Sequence, residues 1–140
     1  MNKRLMIFSD GGSRGNPGPA AIAFLILSEN LQLLQASSSY IGLHTNNQAE
    51  YQALIAALES AKTLNSEEIT CHLDSELVTK QLTGEYAVKN AELRHKWKKV
   101  QELKKHFKQV TFINVPRTNS QIQQVDKLVN QTLDEKTKKH

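Results

Sequence analysis

The sequence predicts an α/β fold in which a five-stranded mixed sheet is covered by helices on both faces. Three apolar runs precede the first helical pattern, and short connections join them, which favours an antiparallel meander. Helical and strand patterns then alternate, which favours parallel strands joined by helical crossovers. The length of 140 residues suits one domain with a sizeable core.

The first part of the chain supplies three strands and a helix. Apolar runs predict the strands at residues 3–10, 20–27 and 31–41. A helix is expected over residues 48–64, because its small apolar residues form a broad stripe at helical spacing. Side chains that can cap this helix directly precede it: Thr45, Asn46 and Asn47.

The second part alternates between the two element types. Two short apolar runs predict the fourth and fifth strands, residues 69–73 and 110–115. Three amphipathic patterns predict helices over residues 75–82, 92–107 and 122–133. We expect one domain over residues 1–136 and a frayed, charged tail over residues 137–140.

The composition narrows the class of protein. Hydrophobic residues make up 39% and charged residues 23% of the chain, as in globular proteins that dissolve in water. No apolar stretch reaches the roughly 18 residues that span a membrane, and no secretory signal pattern is seen. The single cysteine, Cys71, has no partner for an internal disulfide. These features predict a cytoplasmic location and no membrane partner, while the net charge of +4 permits a polyanionic one.

A glycine-rich stretch follows the first predicted strand. Asp10 stands at the end of that strand in this interpretation, and four glycines come after it: Gly11, Gly12, Gly15 and Gly18. Glycine permits positive φ or a very close approach of the backbone to a ligand. Taken alone, the stretch is explained equally well by a tight turn with an incidental acid.

Four acids are candidates for one site: Asp10, Glu50, Asp74 and Asp126. Parallel neighbouring strands would bring Asp10 and Asp74 to the same sheet edge, where ligands of open α/β sheets bind. Three of these acids also have a simpler interpretation. Asp74 could cap a helix, and Glu50 and Asp126 could lie in the first turns of their helices and interact favourably with the helix dipoles. Converging carboxylates repel one another unless a cation lies among them, and hard oxygen ligands select Mg²⁺ or Mn²⁺. A basic protein with such a cluster is predicted to be a metal-dependent nuclease.

Four short motifs together resemble the ribonuclease H type 1 family. They are residues 10–18 (DGGSRGNPG), residues 45–50 (TNNQAE), the pair Asp74-Ser75, and the pair Val125-Asp126 in the last helix. The chain is similar to the family's short, archaeal-like branch, which has no basic protrusion. The resemblance implies the ribonuclease H-like fold. It also implies an endoribonuclease that hydrolyses the RNA strand of RNA–DNA hybrids with two Mg²⁺ ions, or with Mn²⁺ in their place.

The resemblance further implies roles for single residues. The implied metal ligands and catalytic acids are Asp10, Glu50, Asp74 and Asp126. The implied contacts with the RNA strand are Ser13 and Asn46. Asn16 and Asn47 are implied to lie near the DNA strand or the minor-groove edges, and Thr45 with Asn47 to form part of a pocket for a DNA phosphate. Arg117 stands where other members have a mobile histidine thought to help product release, so it is counted with the catalytic residues.

Two positions depart from the family pattern. Glu76 replaces a glutamine that contacts the hybrid in many relatives, and Ile122 replaces an asparagine that commonly precedes the last acid by four residues. These departures motivate an alternative, a non-catalytic nucleic-acid-binding relative of the same fold. Action on double-stranded RNA is a third candidate. The protein is expected to be a monomer.

Overall fold

The computed structural model describes residues 3–64 and 66–137, which contain five strands and four helices. The strands are β1 (Arg4–Ser13), β2 (Gly18–Ser28), β3 (Leu33–His44), β4 (Glu68–Leu73) and β5 (Gln109–Asn114). The helices are α1 (Asn46–Lys62), α2 (Glu76–Leu82), α3 (Ala91–Lys104) and α4 (Ser120–Thr137). No helix in this described part combines the length and the apolar character that a membrane crossing requires.

The sheet has the strand order β3-β2-β1-β4-β5. Antiparallel pairing joins β1 to β2 and β2 to β3, whereas β4 runs parallel to both β1 and β5. The predicted mixed sheet with three antiparallel strands at its start is therefore confirmed. This order places β1 at the centre, with an antiparallel neighbour on one side and a parallel neighbour on the other.

Helices cover both faces of the sheet, as predicted. Successive side chains of a strand point to opposite faces, so each central strand contributes side chains to two hydrophobic clusters. Leu5 and Ile7 of β1 lie in the cluster that includes α1 and α3. Phe8 of β1 and Ala23 of β2 lie in the cluster that includes α4. The sheet edge that carries the candidate acids is thus held between helices on two sides.

Side-chain caps decide where two helices begin. The Thr45 hydroxyl accepts a hydrogen bond from the Gln48 amide, and the Gln48 side chain accepts one from the Thr45 amide, so α1 begins at Asn46. The Asn119 side chain accepts bonds from the amides of Gln121 and Ile122, each at 3.0 Å. Both helices therefore begin two residues earlier than their apolar stripes predicted.

The predicted ends of β1 and of the last helix were wrong. Asp10 does not end β1, because the strand continues through Ser13 and pairs with β2 over those residues. Only four residues, 14–17, are left between β1 and β2. At the other end, α4 runs through Thr137, whose hydroxyl donates to the Leu133 carbonyl at 2.7 Å, so the predicted tail does not begin at residue 137. Residues 138–140 of that tail lie outside the described residues.

Candidate active site

The topology brings three of the candidate acids together. β1 and β4 are parallel neighbours in which Phe8 is level with His72, and Asp10 and Asp74 each stand two residues further along. Glu50 comes from α1, which packs across β1. One carboxylate oxygen from each of Asp10, Glu50 and Asp74 lies within 4.8 Å of the others. The structure therefore gathers acids from three separate elements at one sheet edge.

A close backbone contact orients Glu50. The Gly11 amide donates a hydrogen bond of 2.7 Å to Glu50 Oε1. A Cβ atom at Gly11 would lie 2.2 Å from the Ala49 carbonyl oxygen, far inside van der Waals contact. Only glycine lets β1 run this close to α1. The glycine predicted to serve a loop thus serves a strand, and its amide faces the carboxylate.

Burial and mutual repulsion perturb these carboxyl groups. Burial raises the pKa of Asp10 to about 7, a hydrogen bond with Glu50 opposes this rise, and the charges of Asp74 and Asp126 add to it. Burial also raises the pKa of Glu50 well above its ordinary value, and the charge of Asp10 reinforces the effect. Burial raises the pKa of Asp74 despite the opposing charge of Arg117.

This donor set fits a divalent cation. Within residues 3–64 and 66–137, no basic side chain forms an ion pair with Asp10 or Glu50. The three clustered ligand atoms are carboxylate oxygens, which are hard ligands that suit Mg²⁺ and Mn²⁺. A cation among them would offset the repulsion that raises their pKa values. The carboxylates of Asp10, Glu50 and Asp74 are therefore placed as metal ligands would be.

Asp126 lines the same cavity from α4. This cavity has a volume of about 470 Å³ and is also lined by Asp10, Glu50 and Asp74. Asp126 is exposed on α4 and is not among the three acids whose oxygens lie within 4.8 Å of one another. Its charge and a side-chain hydrogen bond nevertheless contribute to the raised pKa of Asp10. Four acids thus border one cavity: three are clustered, and the fourth is exposed beside them.

The simpler interpretations of the acids do not hold. Glu50 and Asp126 were expected in the first turns of their helices, but no acid occupies the first turn of α1 or α4. Ser75, not Asp74, caps α2, since its side chain accepts a hydrogen bond from the Val78 amide at 3.2 Å. Helix capping and helix dipoles therefore do not account for the placement of these three acids.

The predicted nucleic-acid contacts lie beside the acids. Asn46 joins β1 to the loop that follows, because its side chain accepts from the Ser13 amide at 3.4 Å and its amide donates to Asn16 Oδ1 at 3.1 Å. Thr45 and Asn47 flank Asn46 and are half-buried. The five polar residues predicted to touch the nucleic acid thus cluster around the start of α1.

Arg117 and the two positions that depart from the family pattern, Glu76 and Ile122, all lie close to the cavity. Arg117 lies in the loop between β5 and α4, with its Nε 3.7 Å from Asp74 Oδ2 and its side chain 91% exposed. Glu76 also lines the cavity, but its carboxylate pairs with Lys80 at 2.9 Å. Ile122 is only 1% exposed, so it is a core residue that anchors α4.

Three contributions were missed from the sequence. They are the Gly11 amide, the Arg14 guanidinium that binds α4, and the Asn130 amide that contacts Asp126. The spacing of four residues between Asp126 and Asn130 was a visible signal, since such residues are neighbours on a helix surface. The contacts of Gly11 and Arg14 join distant parts of the chain and left no local signal.

Known proteins resemble the whole of this arrangement. Residues 8–132 match the family described as reverse transcriptase-like. Ribonuclease HI of Halobacterium salinarum is 41% identical over 132 residues, which are 94% of this chain and 65% of that protein. The bifunctional protein Rv2228c of Mycobacterium tuberculosis is 36% identical over 132 residues, which are 94% of this chain and 36% of that protein. The chain thus spans about two thirds and about a third of these relatives' lengths.

Two solved structures show the same fold. The crystal structure of RNase H1 from Halobacterium salinarum has a TM-score of 0.90 at 41% identity and covers 94% of this chain and 98% of that chain. LC11-RNase H1, solved in complex with an RNA/DNA hybrid, has a TM-score of 0.89 at 38% identity and covers 96% of this chain and 99% of that chain. The likeness therefore extends over the strands and helices that carry the four acids.

Proposed function

This chain belongs to the ribonuclease H type 1 family, and from that premise we propose that it hydrolyses the RNA strand of RNA–DNA hybrids. The observation that carries the proposal is the cluster of Asp10, Glu50 and Asp74, whose oxygens lie within 4.8 Å of one another beside an open cavity. Such a concentration of buried negative charge has no structural benefit by itself. It suits a site that binds cations and, through them, a phosphate backbone.

The proposed cofactor is a pair of Mg²⁺ ions, for which Mn²⁺ can substitute. The residues that would hold them are Asp10, Glu50 and Asp74, with Asp126 completing the set from α4. When bound, the ions supply the positive charge that activates a water and stabilises the departing oxygen in phosphodiester hydrolysis. No protein nucleophile is required in this reaction.

The protein's own contribution is placement. Asp10 interacts with both neighbouring acids, since a hydrogen bond with Glu50 lowers its pKa and the charge of Asp74 raises it. The Gly11 amide holds Glu50 Oε1 and thereby restrains this carboxylate beside Asp10 and Asp74. Burial excludes water from Asp10 and Glu50, which are 7% and 4% exposed. Fixed carboxylates in a dry environment avoid reorganisation during the reaction.

The polar residues around the start of α1 are proposed to bind the hybrid. The Asn46 side chain accepts a hydrogen bond from the Ser13 amide, and the Asn46 amide donates one to the Asn16 side chain, so these three residues are held in place before the hybrid binds. Hydroxyl and amide side chains suit the ribose 2′-hydroxyls that distinguish RNA from DNA. Arg117, 91% exposed beside Asp74, is proposed to contact the phosphate of the cleaved strand.

A cleavage assay tests the proposal. An RNA–DNA hybrid labelled on its RNA strand is incubated with the protein and Mg²⁺, and the same strand is tested in double-stranded RNA and as a single strand. We expect cleavage of the hybrid, and loss of at least about a thousandfold in rate for Asp10→Asn, because several kcal/mol of charge stabilisation is removed. Hybrid binding by Asp10→Asn should survive.

The outcomes separate the alternatives. Absence of cleavage by the wild-type protein with either metal, together with tight hybrid binding, would favour the non-catalytic relative. Equal cleavage of the hybrid and of double-stranded RNA would favour the broader substrate class. Undiminished hydrolysis by Asp10→Asn would refute the role of the acid cluster.

A further inference from the structure

Asp126 needs a partner to hold its carboxylate in place. It is exposed, whereas Asp10 and Glu50 are buried, and an exposed aspartate changes rotamer readily. Asn130 lies one helical turn later on α4 and supplies this partner. Its Nδ2 donates to Asp126 Oδ2 at 3.3 Å and to the Asp126 carbonyl at 3.0 Å. The amide therefore restrains the carboxylate at the rim of the cavity, which both residues line.

The preceding turn of α4 does not supply an amide to Asp126. Ile122, four residues before Asp126, is buried in the core beneath α4. Asn119 is nearby in sequence, but its side chain caps the start of the helix. The amide that lies beside Asp126 thus comes from Asn130, four residues after it.

Arg14 fixes the turn of α4 on which Asn130 stands. Its Nη2 lies 2.6 Å from Asp134 Oδ1 and donates to the Asn130 carbonyl at 3.3 Å. Arg14 belongs to the loop between β1 and β2, which its amide closes by donating to the Pro19 carbonyl at 2.8 Å. The planar guanidinium presents several donors in fixed geometry, so it can engage a carbonyl and a carboxylate together. The loop and α4 are thereby joined.

We propose that Asn130 is a positioning residue for Asp126 and that Arg14 fixes the helical turn that begins at Asn130. The inference rests on the proposed function, since it treats Asp126 as a metal ligand. Groups that orient metal ligands typically change metal affinity by about 10- to 100-fold when they are removed. The contact through Arg14 also couples the metal site to the loop that is proposed to bind the hybrid.

Direct measurement of Mn²⁺ binding tests the proposal without relying on turnover. Electron paramagnetic resonance follows Mn²⁺ binding to the full chain in the absence of a hybrid, so that no cleavage takes place. Asn130→Ala is expected to weaken Mn²⁺ binding about tenfold or more, and Asn130→Gln, which keeps the donor, to recover part of the loss. Arg14→Lys keeps the charge but loses the planar set of N–H donors, so it is expected to weaken Mn²⁺ binding by a smaller factor.

The control is Gln131→Ala, an exposed neighbour on α4, which should leave Mn²⁺ affinity unchanged. Unchanged affinity in Asn130→Ala would overturn the proposal, as would a lower melting temperature with normal Mn²⁺ binding, which indicates a purely structural role. Cleavage of an ordinary hybrid by the wild-type protein is scored separately. A wild-type protein that fails to cleave, with the tenfold Mn²⁺ effect intact, would refute the proposed function and support the positioning role.

Discussion

Replacing Asp10 with asparagine should make the metal-free protein more stable at neutral and alkaline pH. The folded protein raises the pKa of Asp10 from 3.8 to about 7, so folding disfavours the charged form. Below about pH 4 the carboxyl is protonated in both the folded and the unfolded states, and its ionisation costs nothing. Between about pH 4 and pH 7 the unfolded state gives up this proton while the folded state keeps it, so stability falls as the pH rises through this range, and the loss is complete above about pH 7.

The expected gain in the free energy of unfolding follows from the difference between the folded and unfolded pKa values of Asp10. A rise of about three pH units corresponds to about 4 kcal/mol at 1.36 kcal/mol per unit, which is an upper limit for an uncharged isostere. The substitution also relieves Glu50, whose raised pKa is partly caused by the charge of Asp10. Because the asparagine must still find hydrogen-bond partners, we expect a gain of about 2 to 4 kcal/mol at pH 8. For a chain of this length, the melting temperature should rise by roughly 5 to 12 °C.

Thermal unfolding in EDTA at pH 4 and at pH 8 measures the effect. The gain should be close to zero at pH 4 and largest at pH 8, and Mg²⁺ should stabilise the wild-type protein more than the variant. The matched control is Glu59→Gln, which neutralises an exposed acid on α1 and should change stability little at either pH. An equal gain at both pH values, or a variant less stable than the wild type at pH 8, would refute the electrostatic argument.

Three further predictions follow from the site and its surroundings. Gly11→Ala should lower the melting temperature by roughly 10 °C, because the added Cβ would lie 2.2 Å from the backbone of α1. Gly12→Ala is the control: its Cβ would lie 3.6 Å from the nearest atom, so thermal unfolding should change little. Equal losses in the two variants would contradict this. Arg117→Ala should lower kcat about tenfold with a hybrid Kd within about threefold, so steady-state kinetics that show a change only in Kd would argue against a contact with the reacting phosphate. Hybrid affinity should fall roughly 50-fold between about 50 and 200 mM salt if about three phosphates are contacted, and a flat salt titration would exclude backbone binding.

The fold could be predicted from the sequence because its patterns are local. Apolar runs of strand length and stripes of helical spacing are properties of neighbouring residues, and they located all five strands and four helices of the described chain. Their boundaries depend on contacts with distant residues. β1 continues through Ser13 because Gly11 admits the backbone of α1, and α4 begins at Ser120 because Asn119 caps it.

The candidate site was predicted unevenly for a related reason. The motifs identified Asp10, Glu50 and Asp74, and the structure brings these three together. The same motifs could not tell a helix-capping acid from a metal ligand. That distinction depended on Ser75 taking the role of the cap and on Glu50 lying beyond the first turn of its helix.

The sequence alone determined the order of the elements, the family and the identity of the acids that a metal site would use. Only the tertiary structure decided the surroundings of each acid. The Gly11 amide of β1 binds Glu50, the Asn130 side chain one turn later binds Asp126, and burial raises the pKa of Asp10. The physical reason is that residue type and spacing are encoded along the chain. Desolvation, charge repulsion and hydrogen bonds between distant segments arise only when those segments meet.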